Sequence, residues 1–281
     1  MSFLALSLIL VAAVLHALWN FTTKTASGNL NVVFLGLWLA SLVCFPVVLI
    51  FFWSDIDLAS SYPFILATGI IHAFYFFGLS KAYEYGDIST VYPVARGIGV
   101  AGTAVLARVL LQEDISLPGF LGITLICLGI VLIGLKTSQE QHHYKSLFIA
   151  AFVGLTIGGY SIVDKQAVQL INPIAYIFGQ FFLAAVFLTP YILIRSRADL
   201  LPAWRHYKKY IFIIGLGSMG TYLIILFTFQ IAHVSYVVAV RESSVVVGAL
   251  LGFKFLHEKY TLKKLAGISI IVLALVIIKM A

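Results

Sequence analysis

Two arginines lie inside long apolar stretches of this 281-residue chain, where an uncompensated charge is costly. Arg96 stands in VYPVARGIGVAG, with Pro93 before it and Gly97 after it, and Arg241 stands in SYVVAVRESSVVVGALLG, directly before Glu242. A proline opens a helix by removing one backbone hydrogen bond. The guanidinium stays charged and presents a planar fork that suits a carboxylate, phosphonate or phosphate. The pattern therefore predicts either a structural ion pair or a binding site for the acidic group of a solute.

Aromatic and histidine side chains at helical spacing could form the walls of such a site. His16, Trp19 and Asn20 share one helix face, since residues three and four positions apart lie above one another. His72 and Tyr75 repeat the arrangement further along the chain. The alternative is that each histidine is a packing residue with a satisfied ring. The predicted substrate-binding set is Arg96, Arg241, His16, Trp19, Asn20, His72, Tyr75 and Tyr92.

The acidic residues receive three different interpretations. Glu242 is the candidate for proton coupling, because a carboxylate within an apolar segment can exchange a proton at the working pH. Asp164 and Lys165 are interpreted as an interfacial pair near a helix end, and Glu113 and Glu258 as loop-packing residues. No metal-ligand spacing or phosphate-binding loop occurs, so we predict no metal, no cofactor and no enzymatic activity.

The composition shows what kind of element must hold these groups. The chain is 62% hydrophobic and 10% charged, with a mean hydropathy of +1.05, whereas a soluble domain carries about 25% charged residues. Long apolar runs without polar alternation also exclude a β-barrel. The net charge of +7 is explained by Lys and Arg in loops on one side of a membrane, so nucleic acid is not a predicted partner.

The apolar runs predict an all-α polytopic membrane protein with ten transmembrane helices. The connections between them are short, so a function must be built from the helices themselves. The predicted spans are 3-25, 30-53, 62-81, 88-111, 117-136, 146-166, 173-195, 210-231, 235-256 and 262-279.

Self-comparison indicates an internal repeat. Arg96 matches Arg241 and Glu113 matches Glu258 at one shift, while Lys24 matches Lys165 at a similar one. We predict a first five-helix half at 1-136, a linker at 137-145 and a second half at 146-281. Because five is odd, the second half must enter the membrane from the opposite side. Such inverted repeats surround a central cavity in alternating-access transporters.

In its ten spans and in the segments YGDISTVYPVARG and VAVRESSVVVGALLGFKFLHEK, the chain resembles the drug/metabolite transporter superfamily, EamA-type branch. The resemblance covers the whole chain and implies a basket of helices that transports small metabolites, in a bacterial inner membrane. A weaker resemblance links the same segments to permease-like proteins associated with phosphonate utilisation, which implies an anionic solute.

These observations predict a secondary transporter of an amino acid, organophosphonate or similar anionic or zwitterionic solute, as monomer or homodimer in the lipid bilayer, with protons as the candidate coupling ion. Two alternatives stay open: efflux of hydrophobic or cationic compounds with structural arginines, and a non-transporting sensor or assembly partner. The loop charges place both termini outside the cell, whereas the family resemblance implies that they are inside.

Overall fold

A computed structural model of the protein describes residues 1–25, 29–52, 58–85, 88–134, 143–255 and 261–281. The regular structure of these ranges is helical, apart from turns and a short 3₁₀ segment, Arg197–Asp199. The α-helices are α1 (Phe3–Thr25), α2 (Leu30–Phe51), α3 (Leu58–Tyr85), α4 (Ile88–Leu110), α5 (Leu117–Gly134), α6 (His143–Ala167), α7 (Pro173–Arg195), α8 (Leu200–Ile231), α9 (Val234–Arg241), α10 (Ser243–Phe255) and α11 (Leu262–Lys279).

The helices are apolar on the outside and carry polar groups inside. Eight described segments are long and apolar enough to cross a membrane, including Val234–Leu251, which joins α9 to most of α10. Large side chains such as Phe148 and Ile194 are 77% and 79% exposed, whereas Arg96 and Asp164 are buried. This distribution suits a bilayer rather than water as the solvent. It confirms the prediction of an all-α membrane protein.

Two elements differ from the predicted spans. The connection expected at 196–209 is largely helical, because α8 begins at Leu200 and continues through a kink at Tyr207, where φ is −111° and ψ is 18°. The ninth predicted span is interrupted at Glu242, which separates α9 from α10. Its mean hydropathy revealed a span but gave no sign of this break.

Helices from the two parts of the chain pack against one another reciprocally. α3 packs on α6 and α7, while α8 packs on α1 and α2. α5 and α11 are antiparallel neighbours, since a Cβ added to Gly122 would meet Ile278 and one added to Gly129 would meet Gly267. The predicted inversion requires such pairing, although the inversion and the half boundaries stay predictions.

The two ends of the chain lie together. Lys279 Nζ donates a hydrogen bond of 3.0 Å to the backbone oxygen of Met1. Both termini are therefore at the same face of the helix assembly, as an even number of crossings requires. Their orientation with respect to the cell stays a prediction.

Candidate functional site

The junction between α9 and α10 places four consecutive polar residues inside the protein. Arg241, Glu242, Ser243 and Ser244 are each no more than 5% exposed. At this point Glu242 N donates to Ala239 O over 3.1 Å, and Val245 N donates to Glu242 O over 2.9 Å. These bonds span three residues instead of four, so the helix tightens locally into a 3₁₀-like turn, a feature often found at functional hinges.

Arg96 has its acidic partner in the other part of the chain. Its Nη1 donates a 3.0 Å hydrogen bond to Glu242 Oε1, and its Nη2 lies 2.5 Å from His16 Nε2. Because a guanidinium can only donate, His16 Nε2 must accept. Arg96 and Glu242 thus form a buried ion pair that joins α4 to the α9–α10 junction, with a neutral imidazole alongside.

Arg241 is less completely satisfied than Arg96. Its Nε lies 3.7 Å from Glu242 Oε1, which is close enough for attraction but too far for a hydrogen bond. Among the described residues, Nε and Nη2 of Arg241, Oε2 of Glu242 and the hydroxyls of Ser243 and Ser244 are buried without hydrogen-bond partners. A buried polar group without a hydrogen bond destabilises the fold by about 1–3 kcal/mol. The occurrence of several such groups at one place points to a polar ligand.

The stripe predicted on α1 divides into two parts. The rings of His16 and Trp19 meet edge to face with centroids 4.9 Å apart. Trp19 Nε1 is buried without a partner in the described part of the chain, and it is a further donor available to a ligand. Asn20 instead donates from Nδ2 to the backbone oxygen of His16 over 3.0 Å, so its amide serves its own helix.

A second polar cluster surrounds His72 on α3. His72 Nε2 lies 2.8 Å from Gln180 Nε2, and its Nδ1 lies 3.0 Å from the backbone oxygen of Thr68. Since an amide nitrogen donates, Nε2 accepts and Nδ1 carries the hydrogen. The imidazole is stacked on Tyr160 with centroids 4.2 Å apart, and Tyr75 packs edge-on against Tyr160 at 5.8 Å. The side chain of Tyr92, the remaining predicted lining residue, lies outside the described residues.

Asp164 belongs to the second cluster, and its predicted interfacial pairing with Lys165 is wrong. Its side chain is fully buried and accepts from Thr68 Oγ1 at 2.7 Å, from Tyr176 Oη at 2.6 Å and from Tyr222 Oη. Lys165 turns away and donates to backbone oxygens at the end of α8, including Ala232 O at 2.9 Å. The position near the end of a predicted span was misleading, because α3, α7 and α8 cover Asp164.

Sequence reasoning missed the polar partners of Asp164 and His72. Thr68, Tyr176 and Gln180 were not singled out, because threonine, tyrosine and glutamine are common within helices. A usable signal did exist, since Asp164 is the one aspartate placed clearly within a predicted span. An intramembrane carboxylate is a functional candidate by default.

Tyr160 connects the two clusters. Its side chain interacts with Arg241, and its ring packs against His72 and, at 5.9 Å and 84°, against Tyr222. Tyr222 in turn donates to Asp164. The Arg241 guanidinium and the Asp164 carboxylate are therefore two ends of one continuous polar and aromatic region, with the cation at one end and the anion at the other.

Glu113 was predicted to pack in a loop, and in the structure its carboxylate holds the start of a helix. Its carboxylate accepts from Val234 N at 2.7 Å and from Ser235 Oγ at 2.8 Å. It thereby caps the first turn of α9, where backbone N–H groups lack partners and the helix dipole favours negative charge. Glu258, its match in the repeat, lies outside the described residues.

A cavity of about 650 Å³ lies apart from these clusters, where α2 and α8 begin. Its lining includes Asn29, Asn31, Asp199, Arg205, His206 and Tyr207. Within the described ranges there is no group of three or more His, Cys, Asp or Glu residues that could hold a metal ion.

The fold and the buried polar groups are those of a helical membrane transporter, and the comparisons agree. The EamA-like transporter family matches the chain twice, over residues 3–135 and 144–280. The protein belongs to the EamA-like transporter family. It is an integral protein of the bacterial plasma membrane that acts on a small molecule.

The names of similar proteins refer to different substrates. The chain is 24% identical over 215 residues to a Lactobacillus johnsonii protein named as a sugar uptake protein, covering 68% of this chain and 70% of that protein. It is 38% identical over 73 residues to the multidrug resistance protein EbrB of Bacillus subtilis, covering 26% of this chain and 61% of that protein. EbrB of Bacillus atrophaeus is 38% identical over 79 residues, which are 28% of this chain and 66% of that protein.

A solved crystal structure shares the architecture. It covers 100% of this chain and 98% of its own, with a TM-score of 0.79 and 14% sequence identity. At this identity the likeness shows the fold alone.

Proposed function

We propose that the protein is a secondary active transporter that moves a small anionic or zwitterionic metabolite by alternating access. The acidic group of the solute would bind Arg241 together with the hydroxyls of Ser243 and Ser244. The observation that carries the proposal is the set of buried donors at the α9–α10 junction that have no partners among the described residues. A carboxylate or phosphonate would satisfy several of them at once.

The charges at the junction support an acidic ligand. Arg96 and Glu242 compensate one another at 3.0 Å, so their pair adds no net charge. Arg241 is then the cation that remains for the solute, although the sequence alone gave both arginines this role. The guanidinium is fully charged at any physiological pH, so the site would keep its preference throughout the transport cycle.

The start of α10 adds to this preference. α10 begins at Ser243 and continues for 13 residues. The positive end of its helix dipole lies at the junction. An anion beside Arg241 would therefore meet favourable charge from both the side chain and the backbone.

A second candidate function is efflux of hydrophobic or cationic compounds. Tyr75, Tyr160 and Tyr222 surround His72 with aromatic rings, and Asp164 lies next to them. Aromatic faces near a carboxylate suit an organic cation. The similarity to proteins named as multidrug resistance proteins favours this alternative over the sensor.

The test is the thermal stability of the purified protein with a panel of solutes. The panel contains alanine, 2-aminoethylphosphonate, glucose 6-phosphate, glucose and tetraphenylphosphonium. A ligand present at about 100 times its Kd stabilises the folded state by about 2.7 kcal/mol, so a weak ligand is detectable at high concentration. We expect an acidic or zwitterionic solute to raise the unfolding temperature.

Arg241→Gln is the informative variant, and Arg108→Gln is its matched control because Arg108 is exposed at the end of α4. We expect the stabilising effect of the solute to vanish in Arg241→Gln and to persist in Arg108→Gln. If tetraphenylphosphonium alone stabilises the protein, the cation-efflux function replaces the proposal. If Arg241→Gln responds like the unmodified protein, Arg241 does not bind the solute.

A further inference from the structure

The two carboxylates in the described membrane core have different kinds of partner. Glu242 is bonded to a permanently charged group, the Arg96 guanidinium, at 3.0 Å. If Glu242 took up a proton, the buried Arg96 guanidinium would lose this ionic interaction. Breaking a buried pair by neutralising one member is strongly unfavourable. Glu242, the sequence-based candidate for proton coupling, is therefore poorly placed to change its charge.

Asp164 has no such constraint. Its described hydrogen-bond partners are hydroxyl groups, namely Thr68 Oγ1, Tyr176 Oη and Tyr222 Oη. A hydroxyl can rotate and accept as well as donate. When Asp164 binds a proton, its new O–H can donate to a hydroxyl that previously donated to it. The carboxyl can therefore be charged or neutral with its hydrogen bonds satisfied in both states.

α4 packs on α6 and carries Arg96, which acts on Tyr160. The other titratable and charged groups around Asp164 come from α3, α6, α7, α8 and α9. They are His72 and Tyr75 of α3, Tyr176 of α7, Tyr222 of α8, Tyr160 of α6 itself and, through Tyr160, Arg241 of α9. Lys165 follows Asp164 in sequence but is bonded to the end of α8. His72 reaches Asp164 through Thr68, whose hydroxyl contacts both side chains.

We propose that Asp164 is the proton-binding carboxylate of this transporter and that Thr68, Tyr176 and Tyr222 are its positioning residues. The proton attaches to a carboxylate oxygen of Asp164, and no other bond is made or broken. The proposal rests on the proposed function for the purpose of the proton, which is to couple transport, and for the sign of that coupling.

The geometry also gives the sign of the coupling. Arg241 attracts the negative charge of Asp164 across Tyr160. A solute anion bound at Arg241 compensates that positive charge, so the ionised form of Asp164 loses an attraction and proton binding becomes easier. Solute and proton would therefore favour one another.

Infrared difference spectroscopy between two pH values tests the proton site directly, on the full chain in liposomes and without any solute. A protonated carboxyl group gives a carbonyl stretching band that is absent from the ionised form. All eleven Asp and Glu side chains give such a band when protonated, so the Asp164 component is the one that differs between the unmodified protein and Asp164→Asn. We expect this component to appear as the pH falls and to be absent from Asp164→Asn. The double variant Arg96→Gln/Glu242→Gln, which removes the ion pair as a unit, should keep it.

Two results would overturn the assignment: no difference in this band between the unmodified protein and Asp164→Asn, or a component that disappears only in the double variant. Tyr222→Phe provides a second measurement if Asp164→Asn does not fold, because it retains the carboxylate and removes one partner. The band should then change its position, and an unchanged position would also contradict the assignment. If no solute in the panel stabilises the protein, the infrared experiment can still be carried out and interpreted. The two proposals can therefore fail independently.

Discussion

The two buried polar clusters differ in how their charge is held. In the cluster of Arg96, Glu242 and His16, a cation and an anion fix one another across α4 and the α9–α10 junction. In the cluster of Asp164, the carboxylate is surrounded by hydroxyls from α3, α7 and α8. The first arrangement resists any change of charge, whereas the second permits it. One cluster can thus serve as a constant framework while the other responds to the proton concentration.

Glu242→Gln should produce the largest effect on stability. The substitution removes the acidic partner of the buried Arg96 guanidinium, and we expect the free energy of unfolding in mixed micelles to fall by about 3–5 kcal/mol. The control is the double variant Arg96→Gln/Glu242→Gln, which should recover most of the loss. A double variant as unstable as the single one would show that the pair is not the source of the effect.

Gly154→Ala should separate the helices that carry the two clusters. A Cβ at Gly154 would lie 2.7 Å from Ile98 Cβ and 2.8 Å from Ala95 O, so α6 and α4 must move apart. We expect a loss of about 1–3 kcal/mol in the free energy of unfolding, as for overpacked cores.

The matched control for Gly154→Ala lies on the same helix. A Cβ at Gly159 would have Ile71 Cδ1 as its nearest neighbour, at 3.9 Å, which is an ordinary contact. Gly159→Ala should therefore be neutral or slightly stabilising, since alanine favours a helix more than glycine does. Equal losses in both variants would argue against the close approach of α4 and α6.

Tyr176→Phe removes one hydroxyl donor from Asp164 and should destabilise the protein by about 1–2 kcal/mol, since the bond is short and its acceptor can be charged. A double-mutant cycle with Asp164→Asn measures the coupling between the two side chains. The effect of Tyr176→Phe should shrink when residue 164 is neutral. Additive effects would mean that Tyr176 stabilises the fold independently of Asp164.

Arg108→Gln should have the smallest effect. Arg108 contacts Asp114 at 2.7 Å, but their side chains are 60% and 95% exposed. Water and salt screen such a pair, so the expected loss is about 0–1 kcal/mol. Unfolding measurements at low and high salt should show the difference disappearing as the salt concentration rises. A loss comparable with that of Glu242→Gln would undermine the contrast between buried and exposed pairs.

The class of fold could be predicted from the sequence because the bilayer imposes a strong constraint on composition. Apolar runs of sufficient length must be helices, since every backbone group in lipid needs a partner within the chain. The same constraint hid details that do not change hydropathy. The break at Glu242 and the helical start of α8 fall in segments whose composition fits either conformation.

The contacts between residues of the site were harder to predict than the residues themselves. Arg96 was recognised as a buried cation, but its acid, Glu242, lies 146 residues further along the chain, and only the packing of α4 against α9 brings them together. Asp164 was assigned to the membrane surface from its place near a span end. Which helices cover a position depends on tertiary packing, and a single sequence carries little information about it.

The carboxylate of Glu113 has a mechanical consequence. It follows α4 in the chain and holds the first turn of α9, so the two arginine helices are tied at one end by the cap and at the middle by the ion pair. Two attachments at different heights prevent these helices from tilting separately. We expect them to move as one unit when the pathway opens on either side of the membrane. Arg241 belongs to this unit, whereas Asp164 lies on α6, outside it.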